Sequence, residues 1–319
     1  VILVTGTAAG QNIIGSSQND TITGGGGDDS IDGGPGVDTA IYSGTRSSYF
    51  VTYNGDGTIT VQDNRGGFPD GTDTVFHIEN LQFSDMTINT ALADVTASNV
   101  VLTNTAINYT INNTGNAAGG ASTAGIYLST DSTITTSDTL IATHTTPGLA
   151  VGGSDAEGAS LSFPTNLTPG TYYVGAIADY TGQLAESNET NNASVGVPVI
   201  LGNDSVNTLT GTASNDVILG LGGDDTLIGG AGNNTIDGRA GSDTVDYSNN
   251  PAPGHGIAVD LGAGTASNGV NINDTLTSIE NVIGTSLDDI LIGSSADNHF
   301  SGGAGNNTID GRAGSDTVD

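Results

Sequence analysis

Asp20, Asp29 and Asp38 stand nine residues apart, and Asn207, Asp216, Asp225, Asn234 and Asp243 keep the same spacing further along the chain. Asp289, Asn298, Asn307 and Asp316 repeat it a third time. Carboxylates and side-chain amides at a fixed phase are hard oxygen donors, and a calcium-type cation takes about six to eight such oxygens. Five positions before many of them stands a glycine: Gly24, Gly33, Gly220, Gly229, Gly238, Gly302 and Gly311, with Gly222 inside one of the same turns. Glycine permits positive φ and leaves its carbonyl uncovered, so the turns add backbone oxygens to the side-chain ones. These aspartates, asparagines and glycines together form the candidate metal site, with Ca²⁺ as the expected ion.

The elements that position them follow from the same period. The unit reads Gly-Gly-x-Gly-x-Asp-x-(Ile/Leu/Val)-x, and its eighth position is apolar at Ile13, Ile22 and Ile31, then at Leu209, Ile218, Leu227, Ile236 and Val245. Leu291, Phe300, Ile309 and Val318 continue the series, and the 18 residues 229–246 recur unchanged at 302–319. A period of nine with glycine, acid and aliphatic phases predicts a parallel β-roll, each unit a glycine turn followed by a short strand. If two units make one coil, stacked turns are 18 residues apart. Sixth positions then pair as Asp20 with Asp38, Asp225 with Asp243, Asn207 with Asp225, Asp216 with Asn234, Asp289 with Asn307, and Asn298 with Asp316. The two Asp–Asp pairs are expected to be the strongest sites, and Gln11 with Asp29 the least convincing.

Composition agrees with a cation binder. The 319 residues hold 50 glycines, no cysteine, no tryptophan and no lysine, and a formal charge of -31. Such a charge excludes nucleic acid as a partner, because phosphate binding needs basic residues. Absence of cysteine suits an exported protein stabilised by metal in place of disulfides. No apolar stretch is long enough to cross a bilayer, so no membrane insertion is expected. The opening VILVTGTAAG lacks a signal-like pattern, and the chain ends inside a repeat, the expectation for an excerpt of a longer polypeptide.

Between the repeat blocks the character changes. Residues 42–93 carry alternating segments and the hairpin signal Asn54-Gly55-Asp56-Gly57. Residues 94–199 carry longer β-type segments, among them Tyr109-Thr110-Ile111, Leu161-Ser162-Phe163 and Tyr172–Ile177, spaced by turns as in an antiparallel sandwich. The expected organisation is all-β: a roll at 1–41, a β-rich cap at 42–93, a sandwich at 94–199, a second roll at 200–247, a β-hairpin insertion at 248–283 and a third roll run at 284–319.

The nonapeptides, above all Gly220 to Asp246, resemble the RTX, or hemolysin-type calcium-binding, repeat family. The strings Asp38–Gly44, Gly71–Val75 and Ile78–Asp85 look like the cap that often follows such repeats. This resemblance implies a β-roll, calcium in the turns and export by type I secretion. The middle segment resembles CARDB, an immunoglobulin-like module of bacterial surface proteins linked to cell adhesion. Asn113-Thr114-Gly115, Ile126–Asp131, Gly170–Val174 and Glu186-Ser187-Asn188-Glu189-Thr190-Asn191-Asn192 carry it. The last string either holds its loop through side-chain to backbone bonds or adds a cation site. Asp131, Thr133, Thr135 and Asp138 form a weaker oxygen series.

Catalytic chemistry is missing. His77, His144, His255 and His299 are scattered, no HExxH is present, and neither a Gly-x-Ser-x-Gly elbow nor a P-loop occurs. The expectation is a non-catalytic, calcium-binding structural or adhesive segment of a large secreted or cell-surface protein, folding on calcium after export. Its partners would be calcium ions, copies of itself in a filament or surface layer, or other cell-surface components. The alternative is a secretion and folding tail for an enzyme or toxin domain outside these residues. With a dissociation constant near 10⁻⁴ M and millimolar calcium, each site contributes roughly 1.4 kcal/mol, so several together rival the stability of a domain.

Overall fold

The computed structural model describes residues 3–54, 57–90, 92–184, 186–249 and 254–319. Most nonapeptides contribute a three-residue strand at their seventh to ninth positions, as in Thr21–Thr23, Ser30–Asp32, Thr226–Ile228 and Thr235–Asp237. The middle residue points inward: Ile22, Ile31, Leu227, Ile236 and Val245 are buried. Successive strands alternate between two facing sheets. Within each sheet they pair in parallel at an offset of 18, with Ile13 opposite Ile31, Leu209 opposite Leu227 and Ile218 opposite Ile236. Two nonapeptides therefore make one coil, and one aliphatic side chain per unit fills the space between the sheets.

The segment after the first run adds rungs as well as a cap. Strands Tyr49–Tyr53 and Ile59–Asp63 form the expected hairpin, whose turn residues Gly55 and Asp56 lie outside the described residues. Thr72–Phe76 then pairs in parallel with Ser30–Asp32, and Asn80–Gln82 with Thr39–Ile41, so the chain returns to build another coil. Tyr42, Tyr49 and Phe83 pack with ring centroids 5.1 to 5.6 Å apart and cover the end of the core.

The second and third runs stack into one roll. Between them, Asn273–Thr277 pairs with Thr235–Asp237, and Asn281–Ile283 pairs with both Thr244–Asp246 and His299–Ser301. The hairpin Ala258–Asp260 with Thr265–Ser267 is inserted into one sheet only, between Asn273–Thr277 and Ile290–Ile292. A single core runs from Ile200 through Val245, Val259 and Val282 to Phe300. At about 4.8 Å per strand, the two additional strands lengthen that sheet by about 10 Å relative to the other.

The middle of the chain is a two-sheet sandwich. Val95–Leu102, Ala106–Asn113 and Ser154–Ser160 form one antiparallel sheet. Thr139–Thr146, Ser122–Ser129, Gly170–Ile177 and Val197–Asn203 form the other. Leu161-Ser162-Phe163, expected as a strand, follows the end of Ser154–Ser160 instead, although Leu161 and Phe163 are both buried in the core.

Val197–Asn203 also pairs in parallel with Val217–Leu221, the first rung of the following roll. The expected division between 199 and 200 falls inside this strand. Because side chains alternate along a strand, Val199 and Leu201 enter the sandwich core while Ile200 enters the roll core. Arg239 of the roll reinforces the junction: its guanidinium donates to the Asn104 carbonyl at 2.7 Å and lies over the Phe163 ring. Ile200→Ala and Leu201→Ala should each cost about 2–5 kcal/mol. In calcium, calorimetry should show the sandwich and the second roll melting in one transition.

Candidate metal centre

The turn that precedes each strand is set by residues one, two, four and six of the unit. In the unit beginning at Gly24, Gly25 and Gly27 take φ of 95° and 87°; in that beginning at Gly229, Gly230 and Gly232 take 80° and 103°. The second position keeps this left-handed backbone even when it is Leu221 (75°), Arg239 (68°) or Arg312 (63°). The sixth side chain folds back over the first residue. A Cβ on Gly238 would lie 2.3 Å from Asp243 Oδ2 and 2.4 Å from the Ser278 carbonyl, so only glycine fits. The same holds at Gly24, Gly220 and Gly311, where the sixth carboxylate would be 2.3 to 2.4 Å away, and at Gly33, where it would be 2.7 Å away. At Gly229 and Gly302 the neighbour is the amide of Asn234 or Asn307, at 2.8 Å. Gly222, at the third position, faces Asp204 at 3.2 Å instead.

All the sequence-predicted pairs are brought together. The backbone N–H of each sixth residue donates to the side-chain oxygen of the sixth residue 18 further on: Asp20 to Asp38 at 2.6 Å, Asn207 to Asp225 and Asp225 to Asp243 at 2.8 Å. Asp216 donates to Asn234 at 3.0 Å, Asp289 to Asn307 at 2.9 Å, and Asn298 to Asp316 at 3.0 Å. Gln11 joins Asp29 in the same way at 2.8 Å. One oxygen of each upper side chain is thus committed to the coil below.

The second oxygen divides the turns into two kinds. Where the second residue is Ser16, Thr212 or Thr285, its N–H donates to Asp20, Asp216 or Asp289 at 2.5 to 2.7 Å. Asn203 and Ser294 do the same for Asn207 and Asn298. These turns are closed by their own backbone. Where the second residue is left-handed, its N–H points elsewhere, and Oδ2 of Asp29, Asp38, Asp225 and Asp243 is buried without any hydrogen bond. Burial pushes Asp225 and Asp243 up to about 6, and raises Asp29 and Asp38. A buried carboxylate oxygen without a partner is costly unless a cation meets it. The donor set is all oxygen, which suits a hard divalent ion, and the residues present fit calcium.

Four acids that carry the ladder onward do not belong to any nonapeptide. Asp29 N–H donates to Asp73 at 2.9 Å and Asp38 N–H to Glu79 at 2.7 Å. In the second roll Asn234 N–H donates to Asp274 and Asp243 N–H to Glu280, both at 2.9 Å. Each pair lies in a coil that has lost the glycine turns, and the signal is the shared string Asp-Thr-x-x-x-Ile-Glu-Asn at 73–80 and 274–281. Burial pushes Asp73 up to about 7, and Tyr247 donates to Asp274 Oδ2 at 2.9 Å. Asp131 and Asp138, by contrast, accept the N–H groups of Thr133 and Thr135 in an exposed turn. Three of the histidines pair with acids: His77 with Asp32, His144 with Glu157 and His299 with Asp319.

Stacked oxygen-lined turns on parallel coils define a calcium-binding repeat protein. Four stretches, 5–40, 201–236, 219–249 and 283–318, match the RTX calcium-binding nonapeptide repeat, and residues 83–195 match CARDB. The chain carries RTX calcium-binding nonapeptide repeats with a CARDB domain between the repeat blocks. Both are structural or binding types of domain, not catalytic ones. No curated protein matches the chain.

Among solved structures, the CARDB domain of a Pyrococcus furiosus protein, in complex with di-metal ions, is 18% identical over 37% of this chain and 97% of its own, at a TM-score of 0.27. Beta-glucosidase 3B of Thermotoga neapolitana is 18% identical over 35% of this chain and 16% of its own, at 0.25. An extracellular lipase of Serratia marcescens is 14% identical over 95% of this chain and 31% of its own, at 0.15. These scores are too low to carry detail across.

Gly238→Ala should destabilise the second roll by about 2 kcal/mol or more through the clash with Asp243 and Ser278. Ala240→Gly, on the exposed face of the same turn, should cost about 1 kcal/mol or less. Thermal unfolding of the two variants in calcium would compare them.

Proposed function

We propose that this chain is a calcium-stabilised structural segment of a secreted or cell-surface bacterial protein. The observation that carries the reading is the set of buried, unpartnered Oδ2 atoms of Asp29, Asp38, Asp225 and Asp243, each on a side chain whose other oxygen is fixed by the coil below. Calcium in these turns would supply the positive charge that the carboxylates lack. The chain's own residues do the rest: the first glycine makes room, the left-handed second residue turns its N–H away, and the sixth side chain bridges two coils.

On this reading the open turns ending in aspartate, including that of Asp316, hold ions most strongly. The open turns of Asn234 and Asn307 offer an amide in place of a carboxylate and hold them less strongly. Asp20 and Asp216 serve chiefly as the floor of the site above them. The domain division that fits is a first roll with its cap up to residue 93, a sandwich ending in Val197–Asn203, and a second roll that shares this strand and runs to 319. Folding would follow export, by the type I route common among RTX proteins, because calcium is scarce inside a cell and millimolar outside it. The CARDB sandwich, held between two stiff acidic rolls, would present the adhesive surface.

Removal of calcium with EGTA should abolish most of the far-UV circular dichroism signal of the rolls, and an unchanged spectrum would refute the reading. By calorimetric titration, Asp243→Asn should weaken calcium binding at least about tenfold at the sites it serves, whereas Asp216→Asn should weaken it less than about threefold.

A further inference from the structure

The string Glu186–Asn192, left open by sequence between a loop brace and a cation site, sits where the sandwich meets the first roll. Glu186 is 4% exposed, and its Oε2 accepts the Val95 N–H at 2.6 Å. Its Oε1 accepts the Asn192 side-chain N–H at 3.2 Å, and this bond fixes which end of the Asn192 amide is oxygen. That Asn192 oxygen is buried and accepts nothing, in a residue only 7% exposed. Next to it, Asn191 donates through Nδ2 to Asp94 at 3.0 Å, and its buried amide oxygen also accepts nothing.

The amide oxygens of two consecutive residues therefore accept no protein donor, and one of the two amides bonds the buried Glu186 carboxylate through its other end. Glu189 stands close, since its Oε1 accepts the Glu186 N–H at 3.2 Å, and the charge of Asp179 also acts on Glu186. Among the described residues none of Asp94, Asp179, Glu186 and Glu189 takes part in an ion pair. A loop brace alone would leave neither acceptor empty, because buried amide oxygens are almost always hydrogen-bonded. Buried negative charge beside empty acceptors is the arrangement that a hard cation resolves.

We infer that the CARDB sandwich carries its own divalent-cation site, built from the Glu186 carboxylate and the side-chain oxygens of Asn191 and Asn192, with Glu189 at its rim. The ion would be of the calcium class, because every donor is oxygen and at least one is charged. A cleft of about 400 Å³ lies beside this segment, lined by Asp94, Ser187 and Asn188 together with Tyr53, His77 and Glu79 of the first roll. Asn116 of the sandwich donates to Glu79 Oε1 at 2.8 Å across the same seam. An ion at Glu186 would hold the base of the sandwich rigid where it abuts the last coil of the roll.

The site is independent of the nonapeptide turns, and full-length protein with calcium alone as the probe separates the two. Equilibrium dialysis with metal analysis should find one ion fewer in Glu186→Gln than in the wild type, while Asp243→Asn should lose an ion without affecting the site at Glu186. Calcium should slow hydrogen exchange of the Val95 and Ala97 amides in the wild type and in Asp243→Asn, but not in Glu186→Gln. Glu189 is exposed, so Glu189→Gln should leave the fold intact and weaken this one site at least about tenfold. Equal ion counts and equal calcium-dependent protection in the wild type, Glu186→Gln and Glu189→Gln would overturn the inference.

Discussion

The bond on which the rest of the structure depends is the one from the backbone N–H of a sixth residue to the carboxylate one coil above. It holds one oxygen of Asp38, Asp225 or Asp243 in place and leaves the other inside the turn. From that constraint follow the glycine at position one, which alone leaves space for the carboxylate, and the 18-residue register of the strands. The core is one aliphatic residue per nonapeptide, too thin to hold a chain of charge -31 together against its own repulsion. Stability and charge neutralisation are therefore the same problem, and the carboxylate ladder is where both are met.

A ladder of this kind needs a beginning and an end. Each of the three runs opens with two closed turns, Thr7 and Ser16, then Asn203 and Thr212, then Thr285 and Ser294, in which a backbone N–H takes the place a cation would hold. A coil with no nonapeptide turn beneath it has only half of a site, and its own backbone satisfies it. The first two ladders close on a coil without the repeated Gly-Gly turns, whose Asp and Glu accept the last N–H groups while its strands keep the register. The second roll then restarts, so one continuous core contains two successive ladders.

Periodicity made the sheets, the inward residues and the 18-residue pairs legible from the sequence, because all three depend on phase alone. Gln11 with Asp29 is the least convincing pair by a count of carboxylates, and such a count does not reveal that Gly25 is left-handed and that Asp29 Oδ2 is buried without a partner. Asp73, Glu79, Asp274 and Glu280 are not legible from the repeat because Gly-Gly-x-Gly marks its turns, and these coils lack that pattern. Their register is carried by the threonine and aliphatic phase, as in Thr74-Val75 and Thr275-Leu276. The junction at Val197–Asn203 was hidden for another reason. A strand that alternates between two cores reads as one short apolar run.

On the proposed function, that strand would give calcium a reach beyond the turns that hold it. With the roll formed, Val197–Asn203 is paired on both sides, by Gly170–Ile177 and by Val217–Leu221. With the roll unfolded, the same strand becomes the edge of the sandwich sheet, exposing Ile200 and a row of unpaired backbone groups. Such an edge invites pairing with other chains, and the acidic residues that flank it would repel them only where the charge is not neutralised. If the roll folds on calcium, as proposed, high negative charge would keep the edge soluble before the ion is met. Once calcium neutralised the turns, the roll's first rung would cover the edge, so loss of electrostatic protection and gain of structural protection would come from the same event.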